Sequence, residues 1–298
     1  MNLTYEIYSI PGKGGKGIRA ACMIRAGEVI LREKPLLKVS NDIFEGPVDV
    51  IDERLTKQLD RMSSKDREIF FNLIDSRNNP EDVSILGIFF TNCMSYTDDS
   101  AALFPIMARV NHSCSPNADF ITRDHIDCQD LVATEDIPPG KEINVSYLPS
   151  LAQGTDIKKI RQHYLKYWYH FDCTCNICVM DNTKVVRNDR LRRKIKIVQA
   201  RLEDVMCSFT IDELNTFLDN LNLIRGVKIP YLLNVLEKVL ENALELNDIK
   251  LASKLIVRGV IMADIIGDVK DLKNWEDRRN SSMISIGGRL YLFPQLAY

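Results

Sequence analysis

The stretch RVNHSCSPNADF, residues 109–120, places Asn111, His112 and Cys114 almost side by side and adds Asn117 three residues after the cysteine. Asparagine and histidine can read a polar ligand, and a cysteine can hold a metal. Pro116 and the flanking serines make the stretch a turn, not a helix interior. Each of these residues alone carries little weight. Their meaning depends on partners elsewhere in the chain.

CTCNIC, residues 173–178, offers such partners. Cys173, Cys175 and Cys178 lie within six residues. Thiolates this close on a tight backbone suit a tetrahedral zinc site, but a closed structural site takes four ligands and this cluster supplies three. Cys114 is a candidate for the fourth. His163 and His170 compete for the place, and thiols without any metal are the remaining alternative. If Cys114 closes the site, one ion ties residues 109–117 to residues 173–178 and braces a pocket made from both. Cys22, Cys93, Cys128 and Cys207 read as small core residues.

The bulk composition narrows the setting. The chain has 298 residues, room for one large domain or two ordinary ones. Hydrophobic residues make up 45% and charged residues 27%, with a formal net charge of -2. That balance gives no global field for nucleic acid or membrane. The opening MNLTYEIYSI lacks a basic start followed by an apolar core, and no apolar run is long enough to span a bilayer. A nuclear or cytoplasmic protein without a membrane segment is expected, in which cysteines serve as thiols and metal ligands.

Patterning along the chain predicts an α+β fold. TYEIYSI alternates, GKGGKG (12–17) is a tight loop, and EVILREKPLLKV is rich in strand formers, so residues 1–41 read as β. Residues 42–90 read as a helical insertion. Ile51, Leu55, Leu59 and Met62 share one helical face, and Ser63 with Asp66 can cap a second helix carrying Ile69, Phe70, Leu73 and Ile74 inward. The β pattern returns in residues 91–150, through ADFITR, QDLVATE and an alternating strand ending at Tyr147. Residues 151–182 hold the cysteine cluster. Residues 188–298 read as an all-α domain resembling a helical-repeat array, with helix starts near Asp212, Pro230 and Asp248.

In order and spacing, GKGGKG, NHSC, GKEINVSY and FDCTCNIC resemble the motifs of SET-domain protein lysine methyltransferases. The likeness covers residues from about 5 to 180. It is closest to the SET-and-MYND branch and its fungal relatives, and FFTNCMSY ahead of LFPIMARVNHSC supports that branch. The MYND finger usual after the first strands is absent; the helical stretch 42–90 stands there instead.

The resemblance implies a β-rich SET domain with a post-SET zinc site, S-adenosylmethionine as methyl donor, and a lysine that enters through a narrow channel. Carried over by position, Lys16 and Gly17 meet the cofactor, Asn111 and His112 hydrogen-bond it, and Asn92 lies near its amino-acid part. Phe171 packs on its adenine. Tyr147 matches the catalytic tyrosine, and Tyr169 matches an aromatic lining the lysine channel. Cys114, Cys173, Cys175 and Cys178 match the zinc ligands.

The implied partner is a lysine-bearing protein or peptide, a histone tail among the candidates, and a monomer is expected. Residues 42–90 hold 11 acidic and 6 basic side chains, which could form a rim for a basic peptide. Residues 187–201 hold seven basic side chains and one acidic, read as a solvated helix face. Near-neutral overall charge argues against direct nucleic-acid binding. A non-catalytic scaffold that holds a partner through the helical tail is the competing reading.

Overall fold

Alternation in the first ten residues builds a hairpin. Strand β1 (Tyr5–Ser9) pairs antiparallel with β2 (Lys16–Ala20), so the second strand starts inside the glycine loop. The computed structural model describes residues 4–10, 15–77, 82–148, 156–204, 207–224, 229–267, 269–280, 283–286 and 289–292. The loop glycines Gly12 and Gly14 lie outside them. Strand β3 (Val29–Glu33) and β4 (Leu37–Ser40) are separated at Pro35, which cannot donate to a ladder.

The insertion is helical, as its periodicity predicts. Helix α1 (Val48–Asp60) buries Ile51, Leu55 and Leu59. Helix α2 (Ser64–Phe71) starts where Ser63 Oγ accepts from the Asp66 amide. It buries Phe70, and Leu73 is buried just beyond its end, whereas Ile74 is 50% exposed. The helix stops before Ile74, so the inward face drawn for it does not extend that far. Helix α3 (Ile85–Asn92) follows, capped by Ser84.

Next come β5 (Cys93–Thr97), β6 (Ser100–Leu103), β7 (Asn111–His112), β8 (Ala118–Arg123), β9 (Cys128–Ala133) and β10 (Asn144–Val145). Two three-stranded sheets run β4-β6-β5 and β3-β9-β8. Strand β10 is shorter than the alternating pattern predicts. It pairs in parallel with β7, itself only two residues long, so the ladder has nothing further to bond to.

Helices α1 to α3 share one core with the first of these sheets. Leu37, Val39, Ala101 and Leu103 pack with Leu55, Leu59, Phe70, Ile88 and Phe89. The other sheet carries a buried charge cluster. The Asp130 carboxylate accepts from Arg32 at 2.6 Å and from Arg123 at 2.8 Å. Burial pushes its pKa up, but the two guanidiniums outweigh burial and hold it below the usual carboxylate range.

Helix α4 (Lys158–Tyr169) precedes the cysteine cluster. The tail holds α5 (Asn182–Glu203), α6 (Ile211–Leu223), α7 (Ile229–Glu245), α8 (Ile249–Ile266) and α9 (Val269–Asn280). Asp248 caps α8, and Gly267 ends it at φ 66°. Helix α6 is capped by a Thr210–Glu213 box, so Asp212 lies in the first turn and not at the cap. Gly259 lets α9 come close: a Cβ there would meet the Trp275 ring at 2.1 Å. A hairpin of β11 (Met283–Ile286) and β12 (Arg289–Leu292) follows, a β addition to a tail that reads as all-α.

Two compact units emerge. One comprises Met1–His112, Phe120–Val145 and Tyr164–Asp172; the other comprises Ser113–Asp119, Ser146–His163 and Cys173–Tyr298. No helix among the described residues is long and apolar enough to cross a membrane.

Leu55 is fully buried within the insertion's share of the core. Leu55→Ala is expected to cost about 2–5 kcal/mol, read as a lower denaturation midpoint in urea. A midpoint unchanged from wild type contradicts the shared core.

Candidate active site and metal centre

A tight turn brings the glycine loop to the NHSC stretch. Gly140, at φ 76°, turns the chain after Pro139 and donates its N–H to Ala20 O at 2.8 Å. Ala20 N–H then donates to Lys141 O at 2.9 Å, and Ile143 N–H to Ile18 O at 2.8 Å. Residues 140–143 thereby extend the β1–β2 hairpin, and β10 carries on from them to pair with β7.

Asn111 sits where these pieces meet. Its Nδ2 donates to Glu142 Oε1 at 3.0 Å and more weakly to Lys16 O at 3.4 Å. Gly17 faces the same group. A Cβ added there would lie 2.9 Å from Asn111 Nδ2 and 3.1 Å from Tyr8, so only glycine fits without a shift. Tyr8 also bonds Glu142; burial and then the charge of Glu142 raise its pKa.

The turn that presents Asn111 rests on a buried carboxylate. Glu33 accepts from the Ile106 and Met107 amides at 2.9 to 3.2 Å, at the head of the 3-10 turn Met107–Arg109. Burial raises its pKa in spite of those bonds.

His112 and Phe171 lie together, with ring centroids 6.1 Å apart. His170, just before Phe171, takes φ 59°, a left-handed conformation that ends α4 and turns the chain toward this contact. Tyr169 packs on Tyr164 at 6.4 Å. Burial, then Tyr164 and Cys93, push its phenol up to about 12, so it stays neutral at ordinary pH.

Lys16, Gly17, Asn111, His112 and Phe171 thus form one contiguous group. Asn92 does not join it through its amide hydrogens. The side chain is buried and donates to Ile74 O at 2.8 Å and Ile88 O at 2.7 Å, tying α3 to the end of the α2 turn. Tyr147 follows β10 by two residues and is half-buried between the buried Ser146 and Leu148.

The four cysteines converge. The Sγ atoms of Cys114, Cys173, Cys175 and Cys178 all lie within 4.8 Å of one another. Cys114 Sγ stands 4.0 Å from Cys173 Sγ and 3.7 Å from Cys178 Sγ. Four sulfurs at zinc–thiolate distance from one ion stand about 3.8 Å apart. The donor set and spacing therefore suit zinc. Neither His163 nor His170 belongs to the cluster.

Two arginines flank the cysteines. Arg161 and Arg192 are each 1% exposed. Arg192 donates from Nη2 to Cys114 O at 3.3 Å and from Nε to Asn188 Oδ1 at 2.8 Å. Burial, then the Arg161 cation, pull its pKa down to about 10. Of the basic run 187–201, Arg187, Arg190, Arg193 and Lys194 are exposed as a solvated face predicts, but Arg192 is not.

Residues 15–148 match the SET domain family model. The chain carries a SET domain. It is 28% identical over 204 residues to the histone-lysine N-methyltransferase set5 of Schizosaccharomyces pombe, covering 68% of this chain and 59% of that protein. It is 27% identical over 177 residues to the N-lysine methyltransferase SMYD2-B of Danio rerio, covering 48% and 39%. With the protein-lysine N-trimethyltransferase SMYD5 of Mus musculus it shares 31% over 120 residues, covering 40% and 27%. The chain thus spans less than two thirds of each of these relatives. The SET assignment and the kinship to Set5-type and SMYD-type proteins agree with the motif order in the sequence.

Glu142, Tyr8, Glu33, Arg161 and Arg192 are absent from the sequence-derived set. Glu142 stands inside GKEINVSY, where the motif itself was the available signal. The other four have none, because their roles arise from contacts between distant segments.

A single cysteine decides whether the cluster closes. Cys114→Ser is expected to reduce bound zinc from about one ion per chain to a small fraction and to lower the melting temperature. Metal analysis after gel filtration checks this, and full zinc occupancy in the variant contradicts a Cys114 ligand.

Proposed function

We propose that the chain is an S-adenosylmethionine-dependent protein-lysine N-methyltransferase with one structural zinc in its four-cysteine cluster. The convergence of Lys16, Gly17, Asn111, His112 and Phe171 within a SET domain is the observation that carries this reading. S-adenosylmethionine, when bound, supplies a methyl group already activated by its positive sulfur, so the protein's task is placement and charge. Placement alone can contribute about 7–11 kcal/mol.

In this reading Lys16 and Gly17 offer backbone groups to the cofactor at a point where no side chain intervenes. Asn111, held by Glu142, presents a fixed polar edge, and His112 hydrogen-bonds beside it. Phe171, set by the turn at His170, packs on the adenine. Asn92 contributes its Oδ1, since its amide hydrogens serve the backbone.

A lysine amine must be neutral to react, yet its ordinary pKa is about 10.4. A dry channel lowers that value by disfavouring the ammonium form. Tyr169, neutral because burial raises its pKa, lines such a channel without adding charge. Tyr147 orients the amine through its hydroxyl.

Tyr147→Phe tests the reading. Methyl transfer to a lysine-bearing protein extract is expected to fall by about 10²- to 10⁴-fold. Zinc content and S-adenosylmethionine binding are expected to stay at wild-type level. Transfer at the wild-type rate, or wild-type protein that neither binds nor uses the donor, overturns it.

The proposed substrate class is a basic segment such as a histone tail, drawn to acidic side chains on α1, in a nuclear or cytoplasmic setting. Glu53 is exposed and held to Lys57 at 2.6 Å, a solvated pair of small worth. Replacing Asp52 and Glu53 with lysine is expected to weaken binding of a basic peptide at low salt, with the gap closing as salt rises. Equal affinities at low salt remove the rim from the account.

A further inference from the structure

Arginine is among the side chains least often fully buried unless paired. Here Arg161 and Arg192 are both fully buried against the cysteine cluster. The Arg161 guanidinium lies against the Sγ atoms of Cys114 and Cys178 and donates to Asp156 O. Its Nε has no hydrogen-bond partner. The bonds of Arg192 include a carbonyl and an amide oxygen, both neutral.

Ordinary ion pairing does not account for these two cations. Asp189 stands 3.8 Å from Arg161, and it also accepts the Lys158 amide at 2.9 Å. The Asp156 carboxylate is engaged by Lys196. With four neutral thiols beside them, the two guanidiniums would be under-compensated in a low-dielectric site, a state that costs several kcal/mol per ion. Four thiolates around a divalent ion carry two net negative charges, and the arginine pair carries two positive ones.

We propose that Arg161 and Arg192 are the counter-cations of a dianionic zinc tetrathiolate, so that metal and arginine pair form one charge-balanced unit. The inference rests on the zinc reading of the cysteine cluster. The two arginines are positioning residues: they touch the ligands and not the ion. Arg192 adds a tie from α5 to the Cys114 carbonyl. Zinc loss therefore removes more than four metal–sulfur bonds, because it strands two buried cations.

Two readouts on the full chain, kept under reductant, test this. The first is zinc transfer to a chromogenic chelator. Arg161→Met and Arg192→Met are expected to weaken zinc retention by about 10- to 100-fold. Arg192→Lys recovers most of the loss, and Arg192→Gln, which keeps a hydrogen-bond donor but no charge, does not. The second is the fall in melting temperature when zinc is stripped. It is expected to be smaller in the Arg161→Met, Arg192→Met double variant than in wild type, since the stripped double variant strands no cation. A packing role alone would leave that difference unchanged.

Wild-type retention in the Met variants, or Lys and Gln variants that behave alike, overturns the inference; so does an equal temperature fall in wild type and double variant. If the double variant does not fold, the Lys–Gln comparison decides. A wild-type protein that binds no zinc removes the metal reading and this inference together. Zinc-replete wild type with indifferent variants removes this inference alone.

Discussion

Four sulfur atoms within 4.8 Å of one another are the constraint on which the second unit depends. Thiolates at that spacing repel, and thiols at that spacing waste hydrogen-bonding capacity. A divalent cation resolves both difficulties. The chain arrives at this spot from two places: Cys114 lies 59 residues before Cys173, in a seven-residue segment flanked on both sides by residues of the other unit. The turn chemistry of Ser113 to Asn117 makes that short excursion possible.

The same stretch does double duty. Asn111 and His112 remain in the β7–β10 pair, where Gly17 and Glu142 fix the asparagine and Phe171 meets the histidine. Two residues later Cys114 turns to the metal centre. The close approach of Gly17 shows why the loop must be glycine at that point, and the buried Glu33 shows what holds the preceding turn. The geometry needed for the proposed methyl transfer is thus set by backbone shape and by a few buried polar groups.

Much of this was legible in the residues. Period-four apolar spacing marked α1, alternation marked β1 and β8, and cysteine spacing marked the metal cluster down to its fourth member. What escaped the sequence depended on distant contacts. The Asn92 amide looks like a ligand group in FTNC, but its hydrogens are spent on Ile74 and Ile88 carbonyls. Arg192 looks like one more cation in a solvated run, yet the helical register turns it alone inward to the Cys114 carbonyl. Strand β10 is cut short by the length of its partner, which no pattern within INVSY reveals. The β5–β6 hairpin hides in CMSYTDDSAAL, where small alanines carry a strand whose partners are β4 and β5.

The most direct measurement is X-ray absorption at the zinc edge on purified protein. The account predicts a single shell of four sulfurs at about 2.3 Å. A shell containing nitrogen or oxygen ligands, or a protein devoid of zinc, contradicts it.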